Sequence, residues 1–261
     1  MDWFDIGVNL TDKRLDTESV LIQAEKVGVN HMLVTGTTIE HSRSALKLAQ
    51  QYPNKLYATA GIHPHYAKDA PENLTIQLTE LLRLPEVLAI GECGLDFNRN
   101  FSSKDDQIKV FERQLELAEE LQMPVFLHER DAFTQQIDIL KSCNNVTGVA
   151  HSFTGTRQQM EAYLDLGLYI GITGWVCDVR RGKALRDALS HLPIERLLLE
   201  TDAPYLKPHG IVTAEHHNIP ANLPVIGHYV ANLMKLSTYK VANASMENAK
   251  TLFMDNHCVA N

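Results

Sequence analysis

No Cys-x-x-Cys pair occurs among the four cysteines (Cys93, Cys143, Cys177, Cys258), so their spacing indicates neither a structural zinc site nor a disulfide framework. There is no apolar run of membrane-spanning length. The Met1-Asp2-Trp3-Phe4-Asp5 start lacks the basic segment and sustained apolar stretch of a secretory signal, so the expected compartment is the cytoplasm. Basic residues are in the minority, with 24 Lys and Arg against 32 Asp and Glu, a formal net charge of -8. That balance argues against an extended non-specific grip on nucleic acid but leaves room for a few cationic side chains around a phosphate in a pocket. Low-complexity segments, recognisable repeats and composition shifts are also missing. With 261 residues and 44% hydrophobic content, the chain is expected to form one domain, 1–261, around a sizeable core.

What is present is an alternation of short apolar, β-rich runs with amphipathic stretches. Strands are expected at 3–8, 31–35, 56–62, 87–92, 124–128, 148–151, 168–172 and 196–201. Helical patterns fill the intervals at 15–27, 39–51, 72–84, 104–121, 132–142, 156–166 and 182–191, and two more follow a Pro- and His-rich loop at 203–220. Strand–helix alternation favours parallel strands with right-handed crossovers, and eight units in this length match a closed α/β (β/α)8 TIM barrel. A doubly wound open sheet is the alternative. It gathers ligands at one switch point, whereas here polar residues end at least five strands, as on the C-terminal rim of a barrel.

Four aliphatic runs stop on a side chain able to bind a metal: Glu92 after 87–91, His128 after 124–127, His151 after 148–150 and Asp202 at the end of 197–202. Buried strands use apolar residues for burial, so a hard ligand at the end of several separate strands predicts that those ends converge on one cation. Gly61-Ile62-His63-Pro64-His65 follows the third strand and adds two imidazoles. Glycines around Glu92 in Gly91-Glu92-Cys93-Gly94-Leu95-Asp96 are expected to let backbone approach a bound ion or substrate. Arg130 lies two residues beyond His128 and points to the same side if the strand continues, a cation site next to a phosphate clamp. Thr156 is placed to cap a helix whose amides favour an anion. Glu200, two residues before Asp202, reads either as a support for a ligand or as part of a polar layer inside the barrel.

In this order, Gly61-x-His63-Pro64-His65, Gly91-Glu92-x-Gly94-Leu95-Asp96, Pro124-Val125-x-x-His128-x-Arg130, His151-x-Phe153-x-Gly155, Glu200-Thr201-Asp202-x-Pro204 and Asn248-Ala249 before Phe253 resemble the TatD family of metal-dependent deoxyribonucleases, from Asp5 to Phe253. The resemblance implies a TIM barrel of the metal-dependent hydrolase type that hydrolyses DNA phosphodiesters, as a 3'-5' exonuclease on single strands or strand ends, and a cytoplasmic monomer with no membrane partner. It implies magnesium as the activating ion, while an imidazole-rich donor set by itself favours zinc or manganese. Most of the family carries Asp-x-His-x-His on the first strand, where this chain reads Asp5-Ile6-Gly7-Val8-Asn9; the branch that bears the TatD name is similar in carrying Gly and Asn in place of the two histidines. One firmly held ion is therefore expected, on Glu92, His128, His151 and Asp202. A second departure is His217-Asn218-Ile219-Pro220 in place of Arg-Asn-Glu-Pro, which predicts weaker phosphate binding or a changed substrate preference.

The mechanism expected from these residues is metal-assisted hydrolysis. Asp202 accepts a proton from the attacking water, His63 and His65 contact the phosphate or protonate the leaving oxygen, and Arg130 neutralises phosphate charge. Two other readings use the same residues: a hydrolase of small esters or amides, because the fold does not choose the substrate, and a non-catalytic metal-binding protein.

Overall fold

The computed structural model describes residues 1–211 and 216–255; Cys258 and part of the 203–220 loop lie outside the described residues. Eight parallel strands run in sequential order: β1 Trp3–Val8, β2 Val29–Val34, β3 Leu56–Ala60, β4 Val87–Asp96, β5 Val125–Arg130, β6 Gly148–Ala150, β7 Tyr169–Ile172 and β8 Leu197–Leu199. The helices between them are α1 Thr17–Lys26, α2 Ile39–Gln51, α3 Leu74–Leu82, α4 Lys104–Leu121, α5 Phe133–Ser142, α6 Arg157–Asp165 and α7 Lys183–Leu189, followed by α8 Leu223–Met234 and α9 Thr238–Phe253. Side-chain oxygens of Asp16, Thr38, Ser103, Thr156 and Ser237 accept amide protons at five helix starts, satisfying donors that have no partner within the helix.

The seam between β8 and β1 distinguishes a barrel from an open sheet. Asp202 N–H donates to the Gly7 carbonyl at 2.8 Å, Asn9 N–H donates to the Ala203 carbonyl at 2.8 Å, and Val8 bridges Ala203 in parallel register. Asp5 locks the same seam, since one oxygen of its carboxyl group accepts the Thr201 amide and the other shares a hydrogen bond with the Thr201 hydroxyl. Strand alternation sorts the apolar residues into two layers. Phe4, Ile6, Leu33, Leu88, Phe126, Val149 and Leu198, from six strands, touch one another and so fill the barrel interior, while Leu197 and Leu199 face outward to the helix layer. Met246, Ala249, Leu252 and Phe253 of α9 join the interior cluster and close one end of the barrel. The open end carries the polar strand termini.

Two strands differ from expectation in a way that shapes this open end. β4 runs on to Asp96 instead of stopping at Glu92, and its pairing with β5 breaks register between Gly91 and Cys93, resuming with Cys93 opposite Leu127 and continuing to Asp96 opposite Arg130. The bulge re-aims Glu92. Gly91 and Gly94 have positive φ, and a Cβ on either would overlap the carbonyl of Phe126 or His128. These glycines thus allow β4 to lie against β5, a backbone approach within the barrel and not one toward a ligand. β8 stops early, and Glu200-Thr201-Asp202 turns toward β1.

Candidate active site

Glu92 stands at the centre of a cavity of about 710 Å³ at the open end. Its Oε1 lies 2.9 Å from His128 Nδ1, 3.4 Å from His63 Nε2 and 3.4 Å from His151 Nε2. Burial alone drives this carboxyl toward its neutral form, but the facing imidazoles outweigh burial and hold it well below the usual carboxylate range. The three imidazoles respond differently because their other nitrogens meet different groups. His63 Nδ1 accepts the His65 amide at 3.0 Å, and burial presses this ring down to about 4, so it is neutral and carries its proton on Nε2. His128 turns Nε2 toward Asp96 Oδ2 at 3.3 Å. Burial opposes its charge, yet hydrogen bonds to Asp96 and Glu92 raise it to about 9. His151 Nδ1 meets Glu200 Oε2 at 2.7 Å, and the charges of Glu200 and Glu92 overcome burial and hold it well above the ordinary histidine value.

A ring of carboxylates and amides supports these groups from behind. Asp96 Oδ2 lies 2.7 Å from His65 Nε2 as well as facing His128, and its backbone N–H is held by Gln107 Oε1 at 2.8 Å. Glu200 is fully buried and also accepts the Ser152 amide. Its carboxylate occupies the space beside two glycines: a Cβ on Gly7 would overlap Oε2 and a Cβ on Gly171 would overlap Oε1. Gly7 is thus more than a missing histidine; it is room for Glu200. Asn9, the other first-strand departure, donates from Nδ2 to Asp202 Oδ1 at 3.0 Å and to the Ala203 carbonyl at 3.3 Å. Burial and the nearby Glu92 and Glu200 charges lift Asp202 to about 7 against the opposing pull of His151 and Asn9.

The donor set suits a divalent cation. His63, Glu92 and His128 each offer a ligand atom, and the three atoms lie within 4.8 Å of one another. Metal-bound imidazole must be neutral with its lone pair on the coordinating nitrogen, and a carboxylate on the far nitrogen commonly fixes that tautomer. His128, backed by Asp96, and His151, backed by Glu200, satisfy this rule with lone pairs toward Glu92. His63 fits it less well, because its Nδ1 accepts the His65 amide and so its proton stays on the nitrogen facing Glu92. Glu92, His128 and His151 therefore match the chemistry best, with Asp202 on the same wall.

The seven residues read from the sequence as catalytic, phosphate-binding or metal-ligating all line this cavity: His63, His65, Glu92, His128, Arg130, His151 and Asp202. Sequence reasoning gave no role to Asp96 and read Asn9 only as a lost ligand; both turn out to hold a cavity side chain, and the signal for Asp96 lay in the unbroken Gly94-Leu95-Asp96 extension of β4. Glu200, left between two roles, supports His151. Thr156 caps α6 through a reciprocal pair with Gln159, so its oxygen serves an amide of its own helix. His217 and Ile219 do not line the cavity, and Ile219 is buried. Asn218 between them ties its loop to the Thr201 carbonyl at 2.8 Å. Asn248 donates to the Ile194 and Leu197 carbonyls, both at 2.8 Å, which makes it an anchor of α9 and places it outside the site.

Known proteins share both the sequence and the fold. The sequence model of the family described as TatD related DNase matches residues 4–254. A Citrobacter rodentium protein named 3'-5' ssDNA/RNA exonuclease TatD is 49% identical over 256 residues, covering 96% of this chain and 97% of its own. Among solved structures, a TatD homolog from Escherichia coli superposes with a TM-score of 0.89 at 31% identity, over 96% of this chain and 97% of that one. A TatD family hydrolase from Entamoeba histolytica gives 0.87 at 26% identity, over 97% and 98%. A family match across nearly the whole length, joined to relatives near half identical end to end, means that this chain belongs to the TatD-related DNase family.

Proposed function

We propose that this protein is a metal-dependent exonuclease that removes nucleotides from the 3' end of single-stranded DNA or RNA. The observation that carries the reading is the make-up of the cavity: an imidazole–carboxylate cluster on its floor and, on its rim, arginines interleaved with exposed aromatic rings. Tyr66, Phe101 and Tyr205 line it at 41%, 54% and 48% exposure, three of the four exposed Phe, Tyr or Trp side chains among the described residues. Arg99, Arg130 and Arg181 line the same cavity, and Arg14 lies over the Tyr205 ring at 4.6 Å. Unpaired bases stack on such rings regardless of sequence while cations track the backbone, whereas a small ester or amide needs neither. In a chain of net charge -8, three arginines thus stand among the carboxylates of this cavity, placed to meet a phosphate backbone.

In this reading Glu92, His128 and His151 would hold one divalent cation, magnesium in the working enzyme, which when bound would supply Lewis acidity for phosphodiester hydrolysis. Asp202 takes the proton from the attacking water: Asn9 occupies its Oδ1 and leaves Oδ2 as the basic atom. His65, fixed by Asp96, and His63, with its proton on Nε2, face the phosphate and supply the leaving oxygen with a proton. Arg130 neutralises charge on the scissile phosphate. Cys93, Cys143 and Cys177 are free thiols, in keeping with a reducing cytoplasm.

The test is a 5'-labelled single-stranded DNA or RNA incubated with chelator-treated protein while magnesium, manganese or zinc is titrated in. A one-nucleotide ladder growing from the 3' end is expected. Absence of cleavage with every metal, or hydrolysis of carbonyl esters alone, would overturn the reading.

A further inference from the structure

A second cavity, of about 660 Å³, adjoins the first; Glu129, Arg130, Thr154 and Trp175 line both, so the two form one continuous groove. Nothing in the mechanism uses the second chamber. Three features define what it would hold. Its walls include the rings of Phe97, Phe133 and Trp175, apolar faces set around a space in the range of small-ligand sites. Its polar atoms come from Thr134, Gln135, Gln159, Glu129 and Asp131, side-chain donors and acceptors of the kind that read the edge of a base. Those two carboxylates resist a phosphate. Glu129 is already engaged by the Ala132 amide at 2.7 Å and Asp131 by Asn98 Nδ2 at 2.6 Å, so neither is turned into a cation site by default.

The junction is built around one aromatic residue. Arg181 lies over the Trp175 ring at 4.2 Å and Arg130 over it at 5.5 Å, and Arg181 is in turn fixed by Asp178 at 2.7 Å. The indole N–H has no hydrogen-bond partner among the described residues, so the ring is held through its faces. Trp175 and Arg130 thus meet at the junction where the catalytic chamber passes into the second one.

Resting on the nuclease reading above, we propose that the second chamber is a nucleobase subsite: it takes the base of a nucleotide flanking the scissile phosphate, while Arg130 at the junction grips the phosphate itself. The subsite orders the strand so that the phosphodiester next to that base reaches Glu92, His128 and His151.

The experiment uses single-stranded DNA oligomers carrying one abasic nucleotide at the first, second or third position from the 3' end, cleaved by the wild-type enzyme and by Trp175→Leu and Phe133→Leu variants. In the wild type, one abasic position raises KM by roughly tenfold, the scale of one lost base–aromatic stack. In the variants, intact DNA already shows that rise and the abasic position adds little. Metal-free protein gives a second reading without turnover: the intact oligomer quenches tryptophan fluorescence and the oligomer abasic at that position quenches less. A penalty at no position, or an unchanged penalty in both variants, overturns the subsite while leaving the nuclease intact. Failure of the wild type to cleave any single-stranded DNA or RNA sinks the nuclease reading and this proposal with it.

Discussion

The Gly7→Ala substitution probes the contact by which this chain replaces a first-strand histidine. The new methyl group would overlap Glu200 Oε2 and come within 3.2 Å of Phe126 Cζ. A carboxylate end can ordinarily swing aside, but Glu200 is fully buried, bonded to His151 and to the Ser152 amide, and backed by Gly171, where a Cβ would also overlap it. Relief therefore requires breaking a bond to His151 or Ser152. Overpacking of this kind costs about 1–3 kcal/mol, and a hydrogen bond to a charged group contributes about 1.5–3 kcal/mol. Because only part of that bond is lost, the expected destabilisation is about 3 kcal/mol. Urea unfolding in metal-free buffer measures it, and competition against a calibrated chelator measures the accompanying fall in metal affinity, roughly 10- to 100-fold when a supporting carboxylate is displaced. The Glu200→Ala change removes the obstacle, so Ala at position 7 should then be tolerated and the double variant should be more stable than the two single effects predict, by more than about 1 kcal/mol. If the two substitutions add to within about 0.5 kcal/mol, Gly7 is not making room for Glu200 and the account of the first strand is wrong.

Three further outcomes follow from the site and its surroundings. Asp202→Asn should lower cleavage by orders of magnitude while metal binding falls less; should excess metal restore full activity, Asp202 is a ligand and the proton goes elsewhere. Asp202 rests at about 7 in the metal-free site, and a bound cation would draw it down, so metal-saturated kcat should rise with pH along a limb below neutrality that the variant loses. His128→Ala removes a nitrogen ligand, and chelator competition and activity assays should show metal and turnover lost together; retained metal with lost turnover would assign His128 to the chemistry instead. Asp5 gives a stability test. Burial lifts its carboxyl from an ordinary 3.8 to about 8, so the folded chain keeps a proton that the unfolded chain gives up. Its contribution is complete below about pH 4 and is lost as pH rises toward 8, at up to about 1.4 kcal/mol per pH unit. Urea midpoints at pH 5 and 8 should separate in the wild type and draw together in Asp5→Asn; an equal separation in both would remove Asp5 as the source.

The barrel was legible in the sequence because burial acts locally. A strand packed on both faces needs a continuous apolar run, and 87–91, 124–127 and 148–150 show that run directly, so the polar residue at its end announces the rim. For the same reason His63, His65, Glu92, His128, Arg130, His151 and Asp202 were readable as one set before their positions were known. Partnerships were not readable, because they join residues far apart in the chain: Asn9 with Asp202, His151 with Glu200, His65 with Asp96. Only the closed barrel brings β1 beside β8 and sets Gly7 and Gly171 on either side of Glu200. The protonation of each imidazole was likewise a tertiary matter. His63, His128 and His151 are chemically identical in the sequence, yet an amide donated to one and carboxylates facing the others make the first neutral and hold the latter two charged in the metal-free site. Apolar runs specify where a strand goes; the identity of the group across a cavity decides what the side chain at its end can do.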